Sequence, residues 1–419
     1  MNYFEECIKR ISESVKYDSS QYPAKEGKPF GDGAADCLNH FLALAQSYGF
    51  ETVNYDNYIG EVKFGKGKDF AVLAHLDVVP AGGGWTHEPF GGETDCAAGR
   101  IWGRGTMDDK GPAIISLICL KALKDEGFKP KRTIKLIVGC NEENGWECIN
   151  YYNRHAVMPE EGFSPDADFP VIYAEKGILQ LRLKFACGGF THLSGGERAN
   201  MVCDYCEVCA PRDDEKLKRY NLGYNDGKVI SRGKFFARYL VIHGTKRCYK
   251  RAVFFVVKRS LRVYNFVSDP ARGNSVQHVL HFIRSGVAYV AVDENIFPVL
   301  PYYVGGKGKP TRVVAQFFQS EPVLEKQGMN MVKPQIFKHN CALVTTLCSV
   351  YNEVTGKDAK PVAIGGGTYA RALKCGAAFG PEEDGEENTV HKADEYITFE
   401  KIKKCFEIYK LALKRLTEK

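Results

Sequence analysis

Histidines and carboxylates at the ends of apolar runs are the residues of this 419-residue chain best suited to hold a metal ion or move a proton. The stretch AVLAHLDVVPAGGGW, residues 71–85, reads as a buried strand dissolving into glycines, and it carries His75 and Asp77 two positions apart. Side chains alternate faces along a strand, so these two polar groups are expected to leave it together. Alone the pair is weak, because a single histidine at a strand end is more often a satisfied structural residue.

Four more stretches have the same character. GRGTMDDKGP sets Asp108 and Asp109 side by side between a glycine turn and a helix, and VGCNEENGWE places Glu142 and Glu143 after an apolar strand. SPDADFPVIYAEKG holds Asp166 and Asp168 before another strand, and NTVHKADEY puts His391 in a polar loop. Each has an ordinary reading, as an Asp-Gly surface turn or an acidic helix start favoured by the dipole. Together they supply what two zinc ions need, since zinc takes imidazole nitrogen and carboxylate oxygen and a catalytic site keeps a position for water. A carboxylate bridging such a pair holds the ions about 3.5 to 4 Å apart.

Alternating strands and helices must position these groups. DFAVLAHLDVV, RTIKLIVGC and PVIYAEKGILQLRLKF read as strands, and GPAIISLICLKALKDEGF as a helix with Pro112 near its start, where a missing amide proton costs little. Residues 1–50 read as helical, with Leu38, Phe41, Leu42 and Ala45 on one face. Later, ALVTTLCSVYNEVTG is a helix, KPVAIGGGTYARAL a strand, glycine turn and helix start, and TFEKIKKCFEIYKLALKRL a terminal amphipathic helix. This alternation predicts an α/β sheet, and the length predicts two domains. The middle, 181–334, reads as an insert between 1–180 and 335–419.

Hydrophobic content of 44% and charged content of 26% are those of a soluble globular protein. The first residues mix charges, lack a signal-peptide core, and no run approaches the roughly 18 apolar residues of a membrane span, so a cytoplasmic protein is expected. Fifteen cysteines lie scattered, as reduced thiols do. Cys203, Cys206 and Cys209 in CDYCEVC repeat every third residue, but no fourth metal ligand of matching spacing follows. From Phe235 to Ser320, eight Arg and five Lys against two Asp and one Glu leave an excess of ten positive charges, where the whole chain carries only +6. Basic residues mixed with aromatics can track a phosphate backbone, yet the segment has no clean period and no nucleic-acid module.

The wording HLDVVPAGGGW, GRGTMDDKGP and FSPDADFPVIYAEKG resembles the dinuclear zinc amidohydrolase and peptidase family that includes acetylornithine deacetylase, succinyl-diaminopimelate desuccinylase, aminoacylase and glutamate carboxypeptidase. It is most similar to the bacterial dipeptidase branch, over about residues 1–234 and 335–419. The resemblance implies a zinc-peptidase-like catalytic domain, with a mixed sheet flanked by helices, and an inserted α+β lid domain. It implies His75 and Asp166 at one metal, Glu143 and His391 at the other, and Asp108 bridging both after a cis peptide bond to Asp109. Asp77 would accept the second ring proton of His75. Glu142 would be the general base that takes a proton from the attacking water and returns it to the leaving amine. Arg371, with Gly366 and Gly367 of IGGGTYARAL, would bind the substrate's C-terminal carboxylate. That loop lacks the Gly-Lys-Ser/Thr of a phosphate loop. The implied cofactors are two zinc ions, with manganese or cobalt as alternatives. The implied substrate is a dipeptide or short peptide, with no nucleic-acid or membrane partner, on a monomer or homodimer. N-acyl amino-acid deacylation and a catalytically impaired metal-binding remnant are the competing readings.

The insert departs from that family. LSGGERANMVCDYCEV resembles the usual stretch, with Cys203 where proline is common, and GKVISRGK resembles the strand leading to a Ser-Ala-His-Gly type motif. Its histidine would stabilise the tetrahedral oxyanion. Phe235-Phe236-Ala237-Arg238 follows instead, and none of His243, His278 and His281 sits in such a motif. Codons for Gly-Lys-Phe-Phe-Ala-Arg, read one base later, permit Ser-Ser-His-Gly, and those for Lys-Arg-Cys-Tyr-Lys-Arg-Ala permit Lys-Gly-Val-x-Lys-Glu-Leu. Residues from about 235 to about 330 are therefore expected to be translated out of frame. One cause then covers the arginine excess, the missing period and a degenerate lid.

Overall fold

The computed structural model describes residues 2–175, 335–338, 340–364 and 367–418, and between 178 and 332 seven strands together with residues 212, 214 and 215. The chain forms two compact units, one of Met1–Glu175 with Ile336–Lys419 and one of Lys176–Gln335.

The larger unit opens with helices α1 (Tyr3–Val15) and α2 (Asp32–Ser47), then strands β1 (Glu51–Tyr55), β2 (Ile59–Phe64), β3 (Asp69–His75), β4 (Glu93–Asp95) and β5 (Arg100–Trp102). Helix α3 (Lys110–Asp125), β6 (Thr133–Gly139), α4 (Glu147–His155), β7 (Glu161–Ser164), β8 (Ala167–Asp168) and β9 (Ile172–Glu175) follow. The first fifty residues are thus not continuously helical: residues 16–31 separate α1 from α2. The expected face of α2 is buried, with Leu38, Phe41, Leu42 and Ala45 all at 4% exposure or less.

In the smaller unit, β10 (Ile178–Lys184), β11 (Leu193–Gly195), β12 (Tyr205–Cys209), β13 (Gly223–Asn225), β14 (Lys228–Arg232), β15 (Arg312–Phe318) and β16 (Glu325–Val332) form two sheets. Their orders are β15-β10-β16 and β11-β12-β14-β13. Strand β14 is the one expected from GKVISRGK. Residues 233–311, with the three lid histidines and most of the stretch expected to be out of frame, lie outside the described residues, as does Cys203. At the end of that stretch, Arg312–Phe318 runs parallel to β10 and Glu325–Val332 antiparallel to it.

The chain returns through β17 (Gln335–Ile336) to α5 (Ala342–Thr355), β18 (Val362–Ile364), a 3-10 turn at Tyr369–Ala372, β19 (Cys375–Ala378), β20 (Pro381–Glu382), β21 (Tyr396–Thr398) and α6 (Phe399–Thr417). The run PVIYAEKGILQLRLKF is two strands. Strand β9 pairs with β18 and β19 of the larger unit, whereas β10 pairs with β15 and β16, so the crossing falls after Glu175 and not after residue 180.

Among the described residues the main sheet has nine strands in the order β1-β2-β6-β3-β7-β19-β9-β17, with β18 also on β9. It is mixed: β6, β3, β7 and β19 are mutually parallel in turn, while β1/β2, β2/β6 and β19/β9 are antiparallel. Strand β3 has parallel neighbours on both edges, which is why Phe70–Ala74 is an unbroken apolar run without alternation, fully buried. Helix α3 is apolar all round because α1, α6, β3 and β6 enclose it. Thr398 caps α6 by accepting the Lys401 N–H at 3.1 Å. Among the described residues no helix is long and apolar enough to cross a membrane.

Candidate metal centre

Strands β6, β3 and β7 are adjacent and parallel, so their carboxyl ends open on one edge of the sheet, where α/β proteins build sites. His75 is the last residue of β3. Glu142 and Glu143 follow β6, and Asp166 follows β7. Asp108 arrives on the turn that precedes α3 and is joined to Asp109 by a cis peptide bond, while His391 (φ 61°) comes from the loop before β21.

Two donor sets share Asp108. One is His75, Asp108 and Asp166, the other Asp108, Glu143 and His391, and the ligand atoms of each set lie within 4.8 Å of one another. His75 Nε2 stands 2.9 Å from Asp108 Oδ1 and 3.7 Å from Asp166 Oδ2. His391 Nε2 stands 2.9 Å from Asp108 Oδ2 and 2.7 Å from Glu143 Oε1. The two oxygens of Asp108 therefore face different imidazoles.

Asp77 behaves differently from the expectation. The strand ends at His75, so strand alternation does not extend to Asp77. The His75 Nδ1–H donates to the main-chain carbonyl of Asp77 at 2.9 Å, while the Asp77 carboxylate is 3.5 Å from that nitrogen. Its oxygens instead accept the N–H groups of Glu142 (2.9 Å) and Glu143 (3.1 Å). A carbonyl can only accept, so Nδ1 carries the proton and Nε2 turns toward the carboxylates. Nε2 is buried and makes no aligned hydrogen bond, despite oxygens close by. An imidazole lone pair facing carboxylate oxygens suits a cation between them, and mixed nitrogen and oxygen donors suit zinc, manganese or cobalt.

The electrostatics agree with that fit. Burial pushes the Asp108 carboxyl up, but the imidazoles of His391 and His75 outweigh it and hold Asp108 below the ordinary carboxylate range. Burial, then the charge of Asp108, raise Asp166 to about 8. Burial also lifts Glu142 and Glu143. It works in the opposite sense on His391, yet Asp108 and Glu143 raise that group to about 11. Without a cation, protons must balance this crowd of carboxylates. Divalent ions would displace them.

Glu142 Oε1 accepts the indole N–H of Trp146 at 3.1 Å, and Glu142 belongs to neither donor set. Arg371 is held through Nε by Glu175, whose carboxylate also accepts the Thr368 hydroxyl at 2.7 Å and the Thr368 N–H at 3.1 Å. Gly367 precedes that turn, and Gly366 lies outside the described residues. Asp168 is not with the donors: it sits on β8 opposite Glu382 of β20. Sequence reasoning missed Glu395. Its carboxylate, fully buried, accepts N–H groups of the turn that carries Asp108, and its only signal was its place four residues after His391.

The fold and the paired donor sets define an α/β protein with a candidate two-metal centre at the carboxyl edge of its sheet. Residues 71–415 match Peptidase family M20/M25/M40, and the chain belongs to that family. YtjP of Bacillus subtilis strain 168 is 32% identical, with 99% of this chain and 98% of that protein covered. The Beta-Ala-Xaa dipeptidase of Lactobacillus delbrueckii subsp. lactis is 30% identical, with 98% and 96% covered. The dipeptidase Dug1p of Saccharomyces cerevisiae shares the fold, with a TM-score of 0.58 at 13% identity over 99% of this chain and 96% of that one. Human carnosine dipeptidase 1 does so with a TM-score of 0.55 at 12% identity, covering 99% and 97%.

Proposed function

We propose that the protein is a dipeptidase using two divalent cations, zinc or alternatively manganese or cobalt. His75 and Asp166 would hold one of them, Glu143 and His391 the other, and Asp108 would be shared by both. The observation that carries this reading is the pair of donor sets sharing Asp108. Bound ions supply Lewis acidity and lower the pKa of a water toward neutrality.

The remaining work falls to side chains. Glu142 takes the proton of the attacking water and gives it to the leaving amine. Its burial raises its proton affinity, which suits a group that must hold a proton between those two steps. Trp146 fixes one of its oxygens and Asp77 fixes its amide, so the base is oriented before substrate arrives. Arg371, oriented by Glu175, binds the substrate's C-terminal carboxylate with the amides around Gly366 and Gly367. The name of the Lactobacillus relative supports a dipeptide substrate. Buried free thiols such as Cys119 and Cys405 suit the reducing cytoplasm we assign to it.

Chelator-stripped protein reloaded with Zn²⁺, Mn²⁺ or Co²⁺, and assayed on unblocked α- and β-alanyl dipeptides and on N-acetyl amino acids, tests this. Turnover of dipeptides only after reloading is expected. Turnover confined to N-acetyl amino acids would make the protein a deacylase, and metal binding without any turnover would make it an impaired remnant.

A further inference from the structure

The Glu395 carboxylate meets the main chain of Asp108 and not its carboxylate, and it organises the turn that delivers that carboxylate. Its Oε1 accepts the N–H groups of Gly105 at 3.1 Å, Met107 at 2.9 Å and Asp108 at 3.4 Å. Its Oε2 accepts from the Arg104 guanidinium at 2.7 Å, and its main-chain carbonyl accepts the Gly103 N–H at 2.8 Å. The turn closes on itself only at Thr106, whose N–H and hydroxyl both donate to the Gly103 carbonyl. Gly103 and Gly105 have φ of 144° and 91°, conformations that carry no intrinsic preference for this shape, so the hydrogen bonds must select it.

The placement of Glu395 is as telling as its contacts. It lies four residues after His391, and between them Asp394 accepts the N–H groups of Thr86 and His87 at 2.8 and 3.1 Å. One short segment thus presents His391 at its head and clamps the Asp108 turn at its tail. The buried Glu395 and Arg104 side chains, at 0% and 2% exposure, are a costly pair to keep inside a protein. The reach of the Glu395 carboxylate to three amides of the turn gives that burial a purpose.

We infer that Glu395 is a positioning residue for the bridging carboxylate: by holding residues 104–108 it aims the two oxygens of Asp108 at different imidazoles and so sets how tightly both cations are bound. The inference rests on the two-cation reading. In Glu395→Gln an amide N–H₂ opposes the N–H groups of the turn or the guanidinium. Glu395→Asp keeps the charge one methylene short.

The test is a titration of wild type, E395Q and E395D with Zn²⁺ against a chromophoric chelator, and with Co²⁺ by its visible spectrum. Changes beside the direct ligands typically weaken metal binding about 10- to 100-fold. A loss of that size is expected in E395Q, with an altered Co²⁺ spectrum and cooperative unfolding retained, and partial recovery in E395D. Glu161→Gln is the control, since it breaks the 2.6 Å pair with Arg132 at the far end of β7. It is expected to lower the unfolding midpoint and leave metal affinity alone. An E395Q protein that folds and binds both ions as tightly as wild type overturns the inference. Should E395Q fail to fold, the double variant Arg104→Met with Glu395→Met replaces the pair by apolar groups, and wild-type affinity there overturns it equally. Wild-type protein that binds fewer than two ions would instead overturn the two-cation reading.

Discussion

Glu142 and Glu143 are neighbours in sequence whose carboxylates meet different partners, and the proposed division of duties between them follows that difference. Glu143 reaches His391 at 2.7 Å, whereas Glu142 meets the Trp146 indole. Replacing Glu142 by alanine should therefore lower kcat about 10²- to 10⁴-fold, the usual worth of a general base, and leave metal content unchanged. Elemental analysis beside kcat on a dipeptide checks this, and full hydrolysis by E142A would remove Glu142 from the role. Arg371→Lys should act on binding, because lysine keeps charge but loses the planar fork. A hydrogen bond to a charged group contributes about 1.5 to 3 kcal/mol, so KM should rise about tenfold to a hundredfold with kcat nearly constant. A fall in kcat with KM unchanged would place Arg371 elsewhere in the reaction. At this scale the sequence showed the groups but not their partners. His75, Asp108 and His391 stand out by type, whereas the Asp77 carboxylate engages two main-chain amides, which no residue pattern reveals. Glu395 was hidden because an acid in a polar loop looks solvated.

Three parallel strand ends do most of the positioning, and their spacing leaves little room beneath the site. Gly139 closes β6, and a Cβ there would lie 2.3 Å from the Tyr369 hydroxyl, which packs against Cys148 and beside the rings of His75 and Trp146. Gly139→Ala should cost about 1 to 3 kcal/mol, as overpacking does, read as a lower urea midpoint; an unchanged midpoint would mean that Tyr369 yields freely. The β8/β20 ribbon carries a pH dependence of its own. It sets Asp168 opposite Glu382, and burial, then the charge of Asp168, raise the Glu382 carboxyl from its ordinary 4.5 to about 7. Between those values the folded chain keeps a proton that the unfolded chain has released, so this group's contribution to stability falls as pH rises through the window. Urea midpoints across pH 4.5 to 7 should decline less steeply in Glu382→Gln than in wild type, and equal slopes would refute the assignment. Long apolar helical runs were legible: α3, α5 and α6 lie where their apolar patterns put them. The break inside PVIYAEKGILQLRLKF was not, because β9 and β10 are both apolar and only their pairing partners separate them.

For the whole molecule, the similarity to YtjP covers 99% of the chain, while the stretch expected to be out of frame belongs to the inserted unit. The alignment with YtjP runs to 458 positions against 419 residues, so that relative carries residues which this chain lacks. A shifted frame alone leaves length nearly unchanged, so the shortfall is a separate property of the chain. The frame reading still makes a sharp prediction, because every residue of the two donor sets lies in the unit of Met1–Glu175 with Ile336–Lys419. Metal content should be independent of how residues 235–330 are translated, while turnover should not. Resequencing codons 225–340 should find a one-base difference near codon 235 that restores Ser-Ser-His-Gly. The chain expressed with that frame should hydrolyse dipeptides about 10²- to 10³-fold faster than the chain read here, the cost of one missing oxyanion donor, with the same two ions bound. A gene that reads as given, in a protein whose turnover the restored frame does not exceed, would show that this unit works with another donor and that its basic composition is native.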